Sequence, residues 1–166
     1  MAIIKLGINS GAGKVLQVVQ TVKTDTFTTN SQTPVDVTGL SVAITPSSTS
    51  SKILISVNVF IGGASNRYPY LLLLRGSTSI GLGSGASGSR INTFISTHLA
   101  DTYKMHGISN QFLDSPATTS ATTYKIQLTQ PYESGHNAHI NRQDQTTDAV
   151  YTQFPSSNIT VTEIAG

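Results

Sequence analysis

Apolar and polar residues alternate with a period of two along most of this chain. In Lys52–Ile61, the side chains of Ile53, Ile55, Val57, Val59 and Ile61 fall on one face of an extended segment. Leu54, Ser56, Asn58 and Phe60 fall on the other, which predicts a strand with one fully buried face and one mixed face. In Thr123–Thr129, Tyr124, Ile126 and Leu128 point inward while Lys125 and Gln127 point out. The same reading predicts strands over 15–22, 37–45, 70–75, 91–99, 103–113, 138–141 and 158–164. The run Tyr70-Leu-Leu-Leu-Leu74 lacks alternation; bracketed by Pro69 and Gly76, it reads as a strand buried on both faces. Ile53, Ile55, Val57, Tyr124, Ile126, Leu128, Ile159 and Val161 are the expected core.

Turn residues punctuate these runs. Pro46–Ser51 and Asp114–Ser120 each read as a hairpin loop between two strands, and Pro155–Ser157 precedes the last strand. Gly81–Ser89 reads as a flexible loop. Short strands with regular turn signals predict an all-β, antiparallel two-sheet sandwich or barrel rather than a parallel sheet with helices. Composition agrees. Only 11% of the 166 residues are charged, too few for the wet faces of long amphipathic helices, and Ser and Thr fill the polar positions. The length suits one domain with a sizeable core.

Charge and cysteine content narrow the chemistry. A net charge of +2 from scattered basic residues does not make the basic face that a nucleic-acid binder needs. With no cysteine there is no disulfide, thiolate metal site or thiol nucleophile. No apolar run reaches the roughly 20 residues of a membrane span, and the N-terminus predicts no signal peptide. Gly83–Gly88 matches the spacing of a dinucleotide-binding loop, but a β-branched run comes after it where a helix is required. Asn9–Lys14 looks like a phosphate loop, but Val15 stands where Ser or Thr must hold magnesium. His136 and His139 are three apart, with Asp144 or Asp148 as further ligands in a loop; no third ligand has a recognised spacing, so polar loop histidines without metal are expected. No nucleophile elbow is present, and no catalytic residues and no cofactor are predicted.

Asn66-Arg-Tyr-Pro-Tyr70 stands out beside Gly62-Gly63. Asn66, Arg67, Tyr68 and Tyr70 make a contact loop on one reading, since Tyr and Arg bring large area with few rotors. On the other reading the tyrosines cap the core at a strand entrance.

Several segments resemble a domain of phage structural proteins, especially from marine and cyanobacterial phages. Leu40–Ile55 is the most specific part. Gly13–Val19, Leu113–Ile126, Ile140–Arg142 and Ser157–Ile164 occur in the expected order, while about 62–111 is unmatched. The resemblance implies a jelly-roll like that of tumour necrosis factor or the C1q head, assembled as a homotrimer in a fibre, knob or head or tail decoration of a virion. It supplies no catalytic residue. The expected role is therefore a non-enzymatic virion structural protein that contacts other virion proteins and the host surface. A carbohydrate-binding module for host recognition is the alternative, and a polysaccharide depolymerase a third reading. A trimer interface is expected where a strand is apolar on both sides, as at Leu71–Leu74.

The first 13 residues differ in character from the rest of the chain. Ile3, Ile4, Leu6 and Ile8 form an apolar stretch on a glycine-rich tether, and the recognisable domain spans 14–166. The expectation is an arm that anchors the protein to the virion by adding to a partner's sheet edge; an ordinary extra strand or a disordered end are the alternatives.

Overall fold

The computed structural model describes residues 11–166, and among these there is no α-helix. The described residues form eleven strands: β1 Val15–Lys23, β2 Phe27–Thr29, β3 Val35–Ile44, β4 Lys52–Gly63, β5 Tyr70–Arg75, β6 Thr78–Ile80, β7 Ile95–Ser96, β8 His106–Asp114, β9 Thr122–Thr129, β10 Ala138–Ile140 and β11 Ser157–Ile164. The arm residues Ile3, Ile4, Leu6 and Ile8 lie outside the described residues.

The strands make two antiparallel sheets. In the first, β1 pairs β11, β11 pairs β4, and β8 pairs the far side of β4. The short β10 continues the line of β11 along β4 and carries β2 at its edge. In the second, β3 pairs β9, β9 pairs β5, and β6 and β7 share the outer side of β5. Without the short β2 and β10, and with β6 and β7 counted as one broken strand, eight strands fall in the orders first-eighth-third-sixth and second-seventh-fourth-fifth. This is a jelly-roll β-sandwich.

The strict period of two explains why the sheets face each other. Ile53, Ile55, Val57 and Ile61 of β4 and Ile159 and Val161 of β11 are wholly buried against Leu71 and Leu73 of β5 and Tyr124, Ile126 and Leu128 of β9. All eight expected core residues are there. Full burial of such a side chain stabilises by about 1.5–3 kcal/mol, so this one cluster dominates the fold.

Three expectations are corrected. Pro46–Ser51 joins β3 to β4, and Asp114–Ser120 joins β8 to β9; each connection crosses from one sheet to the other, so neither is a hairpin. A turn signal reports that a strand ends, not which strand it will pair with. Of the expected 91–99 strand, only Ile95–Ser96 forms a strand and Leu99 adds a single bridge to Arg67; Phe94 is buried from irregular backbone. Two-sided burial of Tyr70–Leu74 is largely met within one chain: Leu74, on the outer face of β5, is already covered, and only Leu72 of the four leucines is half-open.

Polar groups close the ends of the core. Glu163 is wholly buried under the β3–β4 crossing, where it accepts bonds from the Ser47 backbone N–H and hydroxyl at 2.7 Å each and from Gln17 Nε2 at 2.7 Å. Burial pushes its pKa up, but the Gln17 and Ser47 hydrogen bonds outweigh this and hold it at about 2. Asp114, also buried, accepts from Arg75 at 2.9 Å and from the Tyr124 hydroxyl at 2.7 Å.

Candidate functional site

One end of the sandwich gathers three loops. The β4–β5 loop supplies Asn66, Arg67 and Tyr68, the β7–β8 loop His98, and the β9–β10 loop Tyr132 and Glu133. Backbone bonds tie them together: Arg67 and Leu99 exchange N–H···O bonds of 3.3 and 2.8 Å, and Ala64 N–H reaches Asn137 O at 3.1 Å. The close pass needs Gly63, where a Cβ would sit 2.6 Å from the Asn137 carbonyl oxygen and 2.9 Å from Leu99 Cδ1.

Arg67 is the strut of this end. Its side chain is 9% exposed, and Nη2 pairs with Glu133 Oε2 at 2.9 Å while Nη1 donates to Asn66 O at 2.9 Å. The guanidinium carbon stands 5.8 Å from the centre of the Tyr132 ring. Above it, Tyr68 stacks on His98 with ring centres 4.7 Å apart and planes 15° apart, and meets Tyr132 edge-on at 5.7 Å. Tyr68 and Tyr132 are each about half exposed. Asn66 and Glu133 hold left-handed backbones (φ 57° and 60°), conformations that cost non-glycine residues energy and gather at functional sites. Buried Gln130 donates to the carbonyls of Tyr132 and, at 3.1 Å, of Glu133, which fixes the strained turn.

Of the four expected contact residues, Tyr68 is presented to solvent and Tyr70 lies buried in the wall of a cavity of about 520 Å³. Asn66 orders the rim through its Oδ1, 3.3 Å from His98 Nε2. Arg67 itself is buried, and its guanidinium is engaged by half-exposed Glu133. His98, Tyr132 and Glu133 carry no signal in the sequence that marks them for this end. Tyr132 and Glu133 come directly after a proline that ends β9, a sign of a loop but not of a neighbour 65 residues away.

Two other places have chemical interest. A second cavity, about 550 Å³, is walled by Phe60, Tyr103, Tyr151 and Phe154 and held by buried Gln143, which donates to the Tyr103 carbonyl. Elsewhere, His139 is buried in β10 rather than in a polar loop, with Nδ1 2.9 Å from Thr28 Oγ1 and Nε2 3.0 Å from Asp144 Oδ1. Burial lowers its pKa, opposed by Asp144, and favours the neutral ring. His136 instead faces Glu133 at 3.8 Å, so the two histidines do not converge; among the described residues no three ligands cluster for a metal.

The outer faces of the sheets differ. Across the first sheet run Val18–Thr162–Leu54–Leu113, Gln20–Thr160–Ser56–Gln111 and Val22–Asn158–Asn58–Ser109. None of these twelve side chains is charged. The polar ones bond across strands, as in Gln20 to Thr160 at 2.8 Å, Gln111 to Ser56 at 3.0 Å and Ser109 to Asn58 at 2.6 Å.

No family model matches the chain, and no curated protein matches it. Among solved structures the chain is similar to that of the Gt strain of infectious bursal disease virus, with a TM-score of 0.47, 10% identity, and coverage of 100% of this chain and 43% of that one. It is also similar to the VP2 subviral particle of infectious bursal disease virus, with a TM-score of 0.38, 12% identity, and coverage of 98% and 46%. The chain thus spans less than half the length of these proteins. The jelly-roll assignment rests on this chain's own strand order.

Proposed function

We propose that this protein is a non-enzymatic virion structural component, an appendage or decoration that assembles as a homotrimer and turns its aromatic end toward the host. The observation that carries the reading is the block of twelve uncharged side chains on the outer face of the first sheet, bounded at the start of β4 by Lys52. A solvated sheet face ordinarily carries charge, and depletion of charge with retained apolar and amide groups marks a surface that is covered in the assembly. The resemblance to phage structural domains supplies the virion setting and the three-fold count. Here the interface belongs to β1, β11, β4 and β8, not to β5, whose outer leucines are mostly satisfied within the chain. Residues 1–13 are proposed as the arm that anchors the trimer to other virion proteins. Deleting 1–12 tests the arm: the reading requires a folded trimer that no longer enters particles, and normal incorporation or loss of folding contradicts it.

A carbohydrate-binding role is favoured as the second reading by the Tyr68–His98–Tyr132 cluster. It is compatible with the first, because an appendage can also bind host glycans. A depolymerase needs paired carboxylates across a cleft, and Glu133 is engaged by Arg67. The Thr28–His139–Asp144 relay has the spacing of an activated hydroxyl, and we read it as a clasp joining β2, β10 and the loop after β10. The purified protein is expected not to hydrolyse p-nitrophenyl acetate; turnover abolished by Thr28→Val would make the relay catalytic.

A further inference from the structure

We infer that the cavity walled by Phe60, Tyr103, Tyr151 and Phe154 is a binding site for a neutral pyranoside. The site is separate from the Tyr68 cluster and rests on neither reading of function above. Its size, about 550 Å³, is that of small-molecule sites. Tyr103, Tyr151 and Phe154 are each at least half exposed, an aromatic cluster that the core does not use. The rings of Tyr103 and Tyr151 meet at 72° with centres 6.1 Å apart and make a corner. Phe60 stands one step past Asn58 on the outer face of β4, so the cavity lies beyond the twelve-residue block assigned to other copies. Hydrogen bonds fix the corner. Buried Gln143 donates to the Tyr103 carbonyl and accepts from Gln153 N–H at 3.4 Å, and Gln145 N–H donates to Thr102 O at 3.2 Å. These bonds join the β7–β8 loop to the β10–β11 loop and hold the rings apart from the core.

The polar groups of the wall select the ligand. Aromatic faces accept a cation, an apolar side chain or the C–H face of a sugar. A cation is disfavoured, because Lys104 lines the cavity and no carboxylate does. A purely apolar occupant would cover the Gln153 side-chain amide, which has no hydrogen-bond partner among the described residues, and leave it unpaired. A pyranose avoids both costs: it lays its C–H face on a ring and turns its hydroxyls to the amide. Lys104 already faces Asp101 at 3.8 Å, so the pair offers no net charge that would select an acidic sugar.

Saturation-transfer NMR on the full chain with the methyl glycosides of glucose, galactose, mannose and N-acetylglucosamine tests this. At least one is expected to bind, with its signal strongest on the C–H protons of one ring face. Tyr103→Ala should abolish that binding and Tyr103→Phe keep it. Both variants retain the backbone carbonyl that holds Gln143, which separates stacking from misfolding. Gln153→Ala should weaken binding about fivefold, the value of one neutral hydrogen bond. Tyr68→Ala should leave it unchanged. Binding of none of the four glycosides, binding that survives Tyr103→Ala, unchanged affinity in Gln153→Ala, or loss of binding in Tyr68→Ala would each overturn the site. So would tetramethylammonium binding here in preference to every glycoside. The assembly reading is judged separately, by mass in solution, and stands or falls without regard to these titrations.

Discussion

The two sheets share one core and yet present opposite surfaces. The outer face of the second sheet carries Asp36 and Lys125 in a 2.7 Å ion pair, with Gln127 also donating to Asp36 at 2.8 Å. Hydrogen bonding from Lys125, then Gln127, lowers the Asp36 pKa, as expected for a carboxylate facing water beside a cation. The outer face of the first sheet has rows of Val, Leu, Thr, Ser, Asn and Gln and no charge in them. Both sheets obey the same inward pattern, so the difference does not come from folding. It comes from what each outer face meets: solvent on one side, and on the proposed reading other copies on the other.

The comparison can be broken at its shared base. Ile55→Ala empties a wholly buried site in β4 and should cost about 2–5 kcal/mol. Chemical denaturation should show that loss, and both faces should fail together. A near-neutral result would mean the sheets are not packed through this cluster.

Glu163 sharpens the comparison from the end of β11, inside the first sheet. Its folded pKa, about 2, lies below the usual glutamate value, so the unfolded chain takes up its proton first on acidification. Its stabilisation is complete above about pH 4.5 and lost as pH falls toward 2. Glu163→Gln should remove on the order of 2 kcal/mol at neutral pH and flatten the stability curve over that acid window. An unchanged curve would show that the carboxylate is not held as described.

The smallest effect belongs to the second sheet. Asp36→Asn removes an exposed ion pair and should change stability by about 0–1 kcal/mol, less at high salt. It should leave assembly unaltered. Loss of assembly on Asp36→Asn would place the interface on the wrong sheet.

Periodicity is what makes this fold legible in its sequence. Strands β1, β3, β4, β8, β9, β10 and β11 lie where alternation puts them, because burial of one face leaves a period that is local in the chain, and β5 lies where its apolar run between Pro69 and Gly76 puts it. The three-residue strands Phe27–Thr29 and Thr78–Ile80 escape it, since three residues hold too little alternation to read. Strand pairing is not legible either: the β3–β4 and β8–β9 connections carry hairpin-like turn residues but cross the sandwich. The Asn66–Tyr70 segment stands out in the sequence, but residue type alone does not show that Arg67 is buried. Its partner Glu133 is brought in by the β9–β10 loop, a proximity that no local pattern encodes. The uncharged face emerges as a surface only when the register aligns Val18, Thr162, Leu54 and Leu113 in one row.

The most direct test is mass in solution by analytical ultracentrifugation, comparing the wild type with Thr160→Asp and Ala43→Asp. Thr160 sits mid-row on the uncharged face, and Ala43 on the exposed side of the second sheet. The account predicts three times the 17.5-kDa chain mass for the wild type and for Ala43→Asp. It predicts folded monomer for Thr160→Asp, because a buried unpaired carboxylate is costly while an exposed one is not. A wild type that sediments as a monomer at micromolar concentration, or a Thr160→Asp protein that remains trimeric, would contradict it.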